Sequence, residues 1–329
     1  MKGKVCVFGS FNLDIVAGMS RFPQPGESLI ARHSMMGPGG KGANQATAAL
    51  RAGARVHYIG KVGQDDFGQF ARRHLEKTGF DAITLFTCKE KPTGNALIYV
   101  AGDDAENMIS VYPGANLMVT AAEVTRCQPT VAAADILLMQ LENNLSAIQR
   151  MVDIARAAGT FVIINPAPWQ KVSAALLRKI DLLTPNSTEA TLLSGIKVSN
   201  FTEAMQAADV LHNKGVRQLI ITLGMQGALL SDGEAMYRIP LFPAQPADST
   251  GAGDAFNGAL AARLAAGEPL KQAALFASAY ASLCVERPGA ANSMPLYADA
   301  LARLQAHPDL QVEPVGQAAS EQMTVMSDI

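Results

Sequence analysis

Asp248-Ser249-Thr250-Gly251-Ala252-Gly253-Asp254 runs directly into Ala255-Phe256-Asn257-Gly258 and an apolar, alanine-rich stretch to about Ala266. Small turn residues and an acid stand where a loop has to become a helix, and the first turn of that helix offers unpaired backbone N–H groups to an incoming anion. A phosphate suits that place. A carboxylate beside an anion hole repels the anion unless it has another task, and taking a proton from an attacking hydroxyl is such a task for Asp254. Alone, the stretch reads equally well as a glycine turn whose aspartate caps the helix. The remainder of the chain has to decide.

Outward from this junction, strand-like apolar runs alternate with helix-like ones. Residues 4–9, 55–60, 135–139, 161–165 and 217–223 read as strands, and residues 42–52, 66–78, 145–158, 202–214 and 253–266 read as helices. That rhythm predicts an α/β fold with a mainly parallel sheet covered by helices on both faces. Ligands in such sheets bind beyond the carboxyl ends of the strands. Two stretches break the rhythm, 13–36 and 93–112, with alternating segments such as Gly94 to Val100 and Met108 to Tyr112. They predict a small β-layer acting as a lid, with ordinary edge hairpins as the alternative. From Asp309 to Ile329 apolar periodicity fades, and the composition predicts a flexible tail.

The chain has 329 residues, 49% hydrophobic and 17% charged, enough apolar content for a sizeable core. With a formal net charge of -2 and scattered Lys and Arg, it carries no basic patch of the kind nucleic acid requires. Cys6, Cys88, Cys127 and Cys284 lie far apart without a Cys-x-x-Cys pair, which argues for buried thiols over a disulfide frame or a zinc site. No segment has the length of a membrane span, and Met1-Lys2-Gly3-Lys4 leads into Val5-Cys6-Val7-Phe8 with no signal-peptide pattern. A cytoplasmic location is the expectation.

Gly37-Pro38-Gly39-Gly40-Lys41-Gly42-Ala43-Asn44-Gln45-Ala46 is a second glycine-dense loop opening a helix, but it lacks the Gly-Lys-Ser/Thr of a P-loop. Its glycines let the backbone approach a ligand, and Lys41 and Asn44 supply donors suited to hydroxyl groups. Ser10-Phe11-Asn12-Leu13-Asp14 follows the first strand; Asn12 and Asp14 suit a polyol, and an Asx turn fits the same residues. Gln140-Leu141-Glu142 follows another strand and adds Glu142 to the sugar or metal region. In Thr184-Pro185-Asn186-Ser187-Thr188-Glu189, Asn186 and Glu189 share one side of a first helical turn, where they suit Mg²⁺-bound water and phosphate or, equally, a helix cap. Thr222-Leu223-Gly224-Met225-Gln226-Gly227 ends a further strand in a Gly-x-x-Gly turn, either a nucleotide-phosphate contact or a hairpin. A dinucleotide-dependent oxidoreductase is disfavoured, since no Gly-x-Gly-x-x-Gly follows the first strand.

Four ordered segments, Gly39 to Ala46, Asn165-Pro166-Ala167-Pro168, Thr184-Pro185-Asn186 and Asp248 to Asp254, resemble the ribokinase branch of the PfkB carbohydrate kinases, over about residues 4 to 306. The resemblance implies a three-layer α/β/α core with a β-sheet lid within residues 1–308, dimerisation through that lid, and ATP-dependent phosphorylation of a sugar hydroxymethyl group. D-ribose is the expected substrate, with 2-deoxyribose, another pentose, a ketohexose or a nucleoside as alternatives. By motif position, Asn12, Asp14, Gly40, Lys41, Gly42, Asn44 and Glu142 would hold the sugar. Asp254 would be the base, beside the amides of Gly251, Ala252 and Gly253. Asn186, Thr222, Gly224, Gly227, Gly253 and Ser278 would lie along the nucleotide, with Glu189 near Mg²⁺. Activating K⁺ would be held by Asp248, Thr250, Cys284, Arg287, Gly289 and Ser293, mostly through carbonyls. Ser249, Ser187 and Ser278 depart from the commonest residues at their positions, and Asn95 stands in the lid, within possible reach of the sugar, where a small apolar residue is common. A non-catalytic sugar-binding regulator is disfavoured by the intact acid at 254.

Overall fold

Successive side chains of a strand point to opposite faces of its sheet, and in β1 (Lys4–Phe8) both sets are apolar and buried from Val5 onward. Val5 and Val7 join one buried cluster with Ala46, Leu260 and Tyr280, whereas Cys6 and Phe8 join another with Ile148, Val152 and Leu211. A strand buried on both faces belongs to a parallel sheet between helical layers. The computed structural model describes residues 3–102 and 106–315.

The main sheet runs, edge to edge, β5 (Ala82–Cys88), β4 (Arg55–Gly63), β1, β8 (Ile136–Met139), β9 (Phe161–Ile164), β10 (Leu182–Leu183), β11 (Gln218–Thr222), β12 (Ala228–Ser231), β13 (Met236–Ile239) and β14 (Glu313–Val315). Pairing is parallel from β5 to β11 and antiparallel from β11 to β14. The cluster around Val5 is built with α1 (Lys41–Arg51), α2 (Asp66–Thr78), α9 (Ala252–Ala265), α10 (Leu270–Cys284) and α11 (Tyr297–Ala306). The opposite face is covered by α3 (Ala121–Arg126), α4 (Gln128–Ala132), α5 (Leu145–Ala158), α6 (Ala174–Leu177), α7 (Ser187–Ser194) and α8 (Phe201–Asn213).

The expectation of a flexible tail from Asp309 needs correction. β14 pairs antiparallel with β13, Met236 opposite Val315 and Arg238 opposite Glu313. A sheet edge presents unpaired amides and carbonyls, and an extended segment satisfies them without apolar periodicity. Residues 316–329 lie outside the described residues.

The irregular stretches form a sheet of their own, not edge hairpins of the main one. Its order is β3 (His33–Gly39), β2 (Asn12–Met19), β6 (Gly94–Ala101) and β7 (Glu106–Tyr112). β2 and β6 are parallel and the other pairs antiparallel. This small sheet is threaded into the main one where strand order reverses: the chain leaves β1 for β4 and β5 on one side and returns to β8 on the other. The crevice of an α/β sheet opens at such a switch point, beyond the carboxyl ends of the strands. β2 starts four residues after β1 ends, and β3 ends two residues before α1 begins.

Candidate active site

The glycines of the second loop are required by close approach. Gly40 has φ +90° and precedes α1, and a Cβ there would lie 2.7 Å from the Asn12 amide nitrogen. A Cβ on Gly42 would lie 2.4 Å from the Ser10 nitrogen. The loop is therefore pressed against the segment that follows β1. Glu142 fastens it, its Oε2 accepting from the Lys41 amide at 3.0 Å and from the Ser10 hydroxyl, which in turn accepts from the Gly42 amide at 3.2 Å.

Asn12 and Asp14 sit on one face of β2. Asn116 donates to Asn12 Oδ1 at 2.9 Å and binds the Phe11 backbone on both sides, which leaves the Asn12 amide NH₂ to meet a ligand acceptor. The Asp14 carboxylate lies over Gly39, whose place no side chain could share. Asn95 pairs with Leu13 and Tyr112, so it projects from the face opposite Asp14. The expectation that Asn95 bears on the sugar within its own chain is corrected by this register.

Asp254 is buried, 5% exposed, in the first turn of α9. Its carboxylate does not cap that helix. Oδ2 accepts from Asn44 Nδ2 at 3.0 Å and Oδ1 from Gln45 Nε2 at 2.9 Å, both on α1. The Ala252 amide donates to the Ser249 carbonyl at 3.2 Å, whereas the N–H groups of Gly251, Gly253 and Asp254 find no acceptor among the described residues. Three open amides beside a carboxylate held by its own partners make an anion cradle next to a proton acceptor. Asn44 Oδ1 is buried and without a partner among the described residues, an acceptor awaiting a donor.

Charge is concentrated here. Asp254, with Glu142 and Glu189 adding to it, holds the Lys41 ammonium above its ordinary range despite burial. Burial, reinforced by Glu142 and Asp254, raises Asp14 to about 7. Burial also raises Glu142, although Ser10 and Lys41 oppose it, and raises Glu189, against the Asn186 amide and Lys41.

On the far side of Asp254, Asn186 and Glu189 form a reciprocal capping box on α7. Asn186 Oδ1 accepts from the Glu189 amide at 2.8 Å, and Glu189 accepts from the Asn186 amide at 2.9 Å and Nδ2 at 3.1 Å. The cap pins Glu189 near enough to Lys41 and Asp254 for their fields to act on it. A carboxylate has more acceptor sites than these two bonds use, so Glu189 fits a role in holding a hydrated Mg²⁺. Thr222 bridges Asn186, and its amide donates to the Pro185 carbonyl at 3.0 Å. Gly224 (φ +57°) and Gly227 (φ +81°) turn the chain from β11 into β12, so the Gly-x-x-Gly segment is a hairpin turn placed beside Asn186. The Ser278 hydroxyl, on α10, donates to the Pro240 carbonyl at 2.6 Å and ties that helix to the loop after β13.

The cation candidates also converge. Asp248 accepts from the Thr250 amide at 2.8 Å and the Gly289 amide at 2.9 Å, and Cys284 Sγ lies 3.0 Å from Ser293 Oγ, which itself donates to the Ala290 carbonyl at 2.7 Å. Burial disfavours the Asp248 charge, but those two amides outweigh it and hold the carboxyl below its ordinary range. An ionised carboxylate joining two carbonyl-bearing loops fits a hard monovalent cation. The buried Cys284 thiol, raised chiefly by burial, is no cation ligand, and Arg287 turns to Asp299 at 3.9 Å; only their carbonyls suit the site.

Sequence reasoning missed Asn116, which orients Asn12, and a buried amide network of Gln45, Gln140, Asn165 and Asn257 around Asp254. One signal was present: Gln45 is a polar residue among Ala43, Ala46, Ala48 and Ala49 on a helix whose alanines are all buried.

Residues 2–296 match the model of the pfkB family of carbohydrate kinases. Ribokinase from Haemophilus influenzae is 38% identical over 93% of this chain and 99% of its own. Deoxyribokinase from Salmonella typhi is 30% identical over 88% of this chain and 95% of its own. The structure of Arabidopsis thaliana ribokinase complexed with ribose and ATP superimposes with a TM-score of 0.83 at 31% identity, covering 93% of this chain and 99% of that one. The crevice at the β1 switch point, the carboxylate bonded to the helix after the glycine-rich loop and the extent of these matches lead to one conclusion: the chain belongs to the pfkB family of carbohydrate kinases.

Proposed function

We propose that this ATP-dependent sugar kinase transfers the γ-phosphoryl group of ATP to the terminal hydroxymethyl of D-ribose, giving D-ribose 5-phosphate. The observation that carries the reading is Asp254, whose carboxylate bonds Asn44 on the sugar side while its own amide, with those of Gly251 and Gly253, stays open to an anion. Ribokinases similar over nearly the whole chain, and one solved with ribose and ATP, support the choice of sugar.

Asn12, Asp14, Lys41 and Asn44 hold the sugar hydroxyls, with Glu142 bracing the loop that carries Lys41. Asp254 accepts the proton of the terminal hydroxyl as its oxygen bonds the γ-phosphorus and the bond to ADP breaks. The open amides stabilise charge on the transferring group, and Lys41 faces the same region with its ammonium. Asn186 and the turn from Thr222 to Gly227 flank the nucleotide, with Ser278 toward its base. Mg²⁺, held near Glu189, supplies charge neutralisation on the phosphates when bound. K⁺ beside Asp248, Thr250 and Gly289 would brace the loop ahead of the anion cradle. A homodimer through the small sheet is supported by its exposed apolar side chains. A cytoplasmic location agrees with ATP as co-substrate and with four free, buried cysteines.

The test is ADP release by the purified protein over pentoses, 2-deoxyribose, ketohexoses and nucleosides, with and without K⁺. Ribose is expected to give the highest kcat/KM and K⁺ to raise it. Preference for deoxyribose would move the assignment to the second relative's activity, and no turnover on any sugar would overturn it.

A further inference from the structure

We propose that Gln45 is a positioning residue that fixes which oxygen of Asp254 takes the proton. The inference rests on the kinase reading above.

Gln45 is fully buried on α1 and its side chain is a junction of three hydrogen-bonding partners. Nε2 donates to Asp254 Oδ1 at 2.9 Å and to Asn165 Oδ1 at 3.1 Å, and Oε1 accepts from Gln140 Nε2 at 2.7 Å. Asn165 Nδ2 donates to the Thr184 carbonyl at 2.8 Å, Thr184 Oγ1 donates to Asn257 Oδ1 at 2.5 Å, and Asn257 Nδ2 donates to the Gly253 carbonyl at 2.8 Å. The path closes, since Gly253 adjoins Asp254. A ring of bonds, buried except at the Gly253 carbonyl, therefore joins α1, the ends of β9 and β10, and the first turn of α9.

The ring also fixes the amide orientations. A carbonyl only accepts, so Asn165 must turn its NH₂ to Thr184 and its oxygen to Gln45. Gln45 must then present NH₂ to Asn165 and to Asp254, and its oxygen to Gln140. Asp254 Oδ1 is thus bonded to a donor inside the protein that no substrate reaches. Oδ2 is bonded to Asn44, whose loop faces the sugar and whose own Oδ1 is unpartnered among the described residues. Incoming sugar can take over Asn44, which frees Oδ2, whereas the bond from Gln45 persists. The hydroxyl proton passes to Oδ2 while the hydroxyl oxygen bonds the γ-phosphorus and ADP departs. Rotation of the carboxylate away from this alignment is blocked by Gln45.

Gln45→Met retains most of the volume and removes the donor. Steady-state kinetics on ribose and ATP are expected to show kcat reduced ten- to a hundred-fold with the ribose KM within threefold of the parent. In an Asp254→Asn background, measured by long-incubation ADP release, adding Gln45→Met should change kcat by less than twofold, because a residue that acts through Asp254 has nothing left to position. A kcat within twofold of the parent, or an equal loss in both backgrounds, would overturn the proposal and leave Gln45 as a packing residue. Should Gln45→Met not fold, Gln140→Met replaces it: the Gln45 amide, no longer oriented from behind, should give a three- to tenfold loss of kcat with the same non-additivity, and an unchanged kcat counts against the idea. Absence of ribose turnover in the parent would instead sink the ribose reading on which the test rests.

Discussion

An aspartate in the first turn of a helix ordinarily bonds the amides of that turn, and Asp254 instead reaches across to Asn44 and Gln45 while three nearby amides stay open. Its charge is thereby left for chemistry. Asp254→Asn preserves shape and both neighbours, so ribose and ATP affinities by calorimetry should stay within about threefold while kcat falls about 10²- to 10⁴-fold, the usual contribution of a positioned base. Turnover above a tenth of the parent would remove Asp254 from that role. Asp14 gives a second prediction. Burial, then Glu142 and Asp254, raise its carboxyl from 3.8 to about 7, so the empty folded site prefers the proton and its contribution to stability falls as pH rises from 3.8 toward 7. Sugar hydroxyls donate to the ionised form and favour it. Ribose binding should therefore release a proton, and the ribose KM should fall several-fold as pH climbs from about 6 to about 8. Asp14→Asn should bind ribose weakly at every pH, and an equally steep KM profile in that variant would assign the dependence to another group.

At the scale of elements, the site depends on how closely α1 and α9 approach. The contact is lined by Ala46, Ala48, Ala49, Ala255, Ala259 and Ala262, and a Cβ on Gly258 would lie 2.4 Å from the Gln45 carbonyl and 2.5 Å from the Ala48 methyl. Gly258→Ala must push the helices apart, and overpacking of this kind costs about 1–3 kcal/mol. Because the same helices carry Asn44, Gln45 and Asp254, a lower midpoint in urea should be accompanied by a fall in kcat; stability lost with kcat intact would mean that the spacing can relax without moving the carboxylate. The alanine-rich pattern of α9 was readable as a helix, and so were the long elements generally: helices expected at 42–52 and 145–158 end at Arg51 and Ala158. The shortest buried strand was not. β10 has only Leu182–Leu183, too little for any period to register. The face of a lid residue was equally hidden, since Asn95 is assigned to one side only by its pairing with Leu13 and Tyr112. Nor can single-sequence patterns reveal β14, whose pairing is dictated by an open edge elsewhere.

For the whole molecule, one topological event organises the rest. Strand order reverses at β1, and β2, which follows it, and the loop after β8 supply Asn12, Asp14 and Glu142 to a crevice completed from α1 and α9. The sequence displayed those residues on successive strand ends, which is why the proposed sugar side was legible, whereas the ring through Gln45, Asn165 and Thr184 joins positions far apart in the chain and needs the fold to be seen. The small sheet also carries exposed apolar side chains. Met36, Leu97, Tyr99 and Met108 lie on the face opposite Asp14 and are 64%, 43%, 40% and 55% exposed. Contiguous apolar surface of this kind marks an interaction site, and a second copy presenting the same rows would give a self-complementary, isologous contact. The chain should therefore sediment at twice its own mass at micromolar concentration. Leu97→Glu combined with Met108→Glu places like charges at that seam and should shift the protein to the monomer without lowering its thermal midpoint at low concentration, because neither side chain belongs to a buried cluster. A parent that sediments as a monomer, or a double variant that remains a dimer, would exclude this face as the contact.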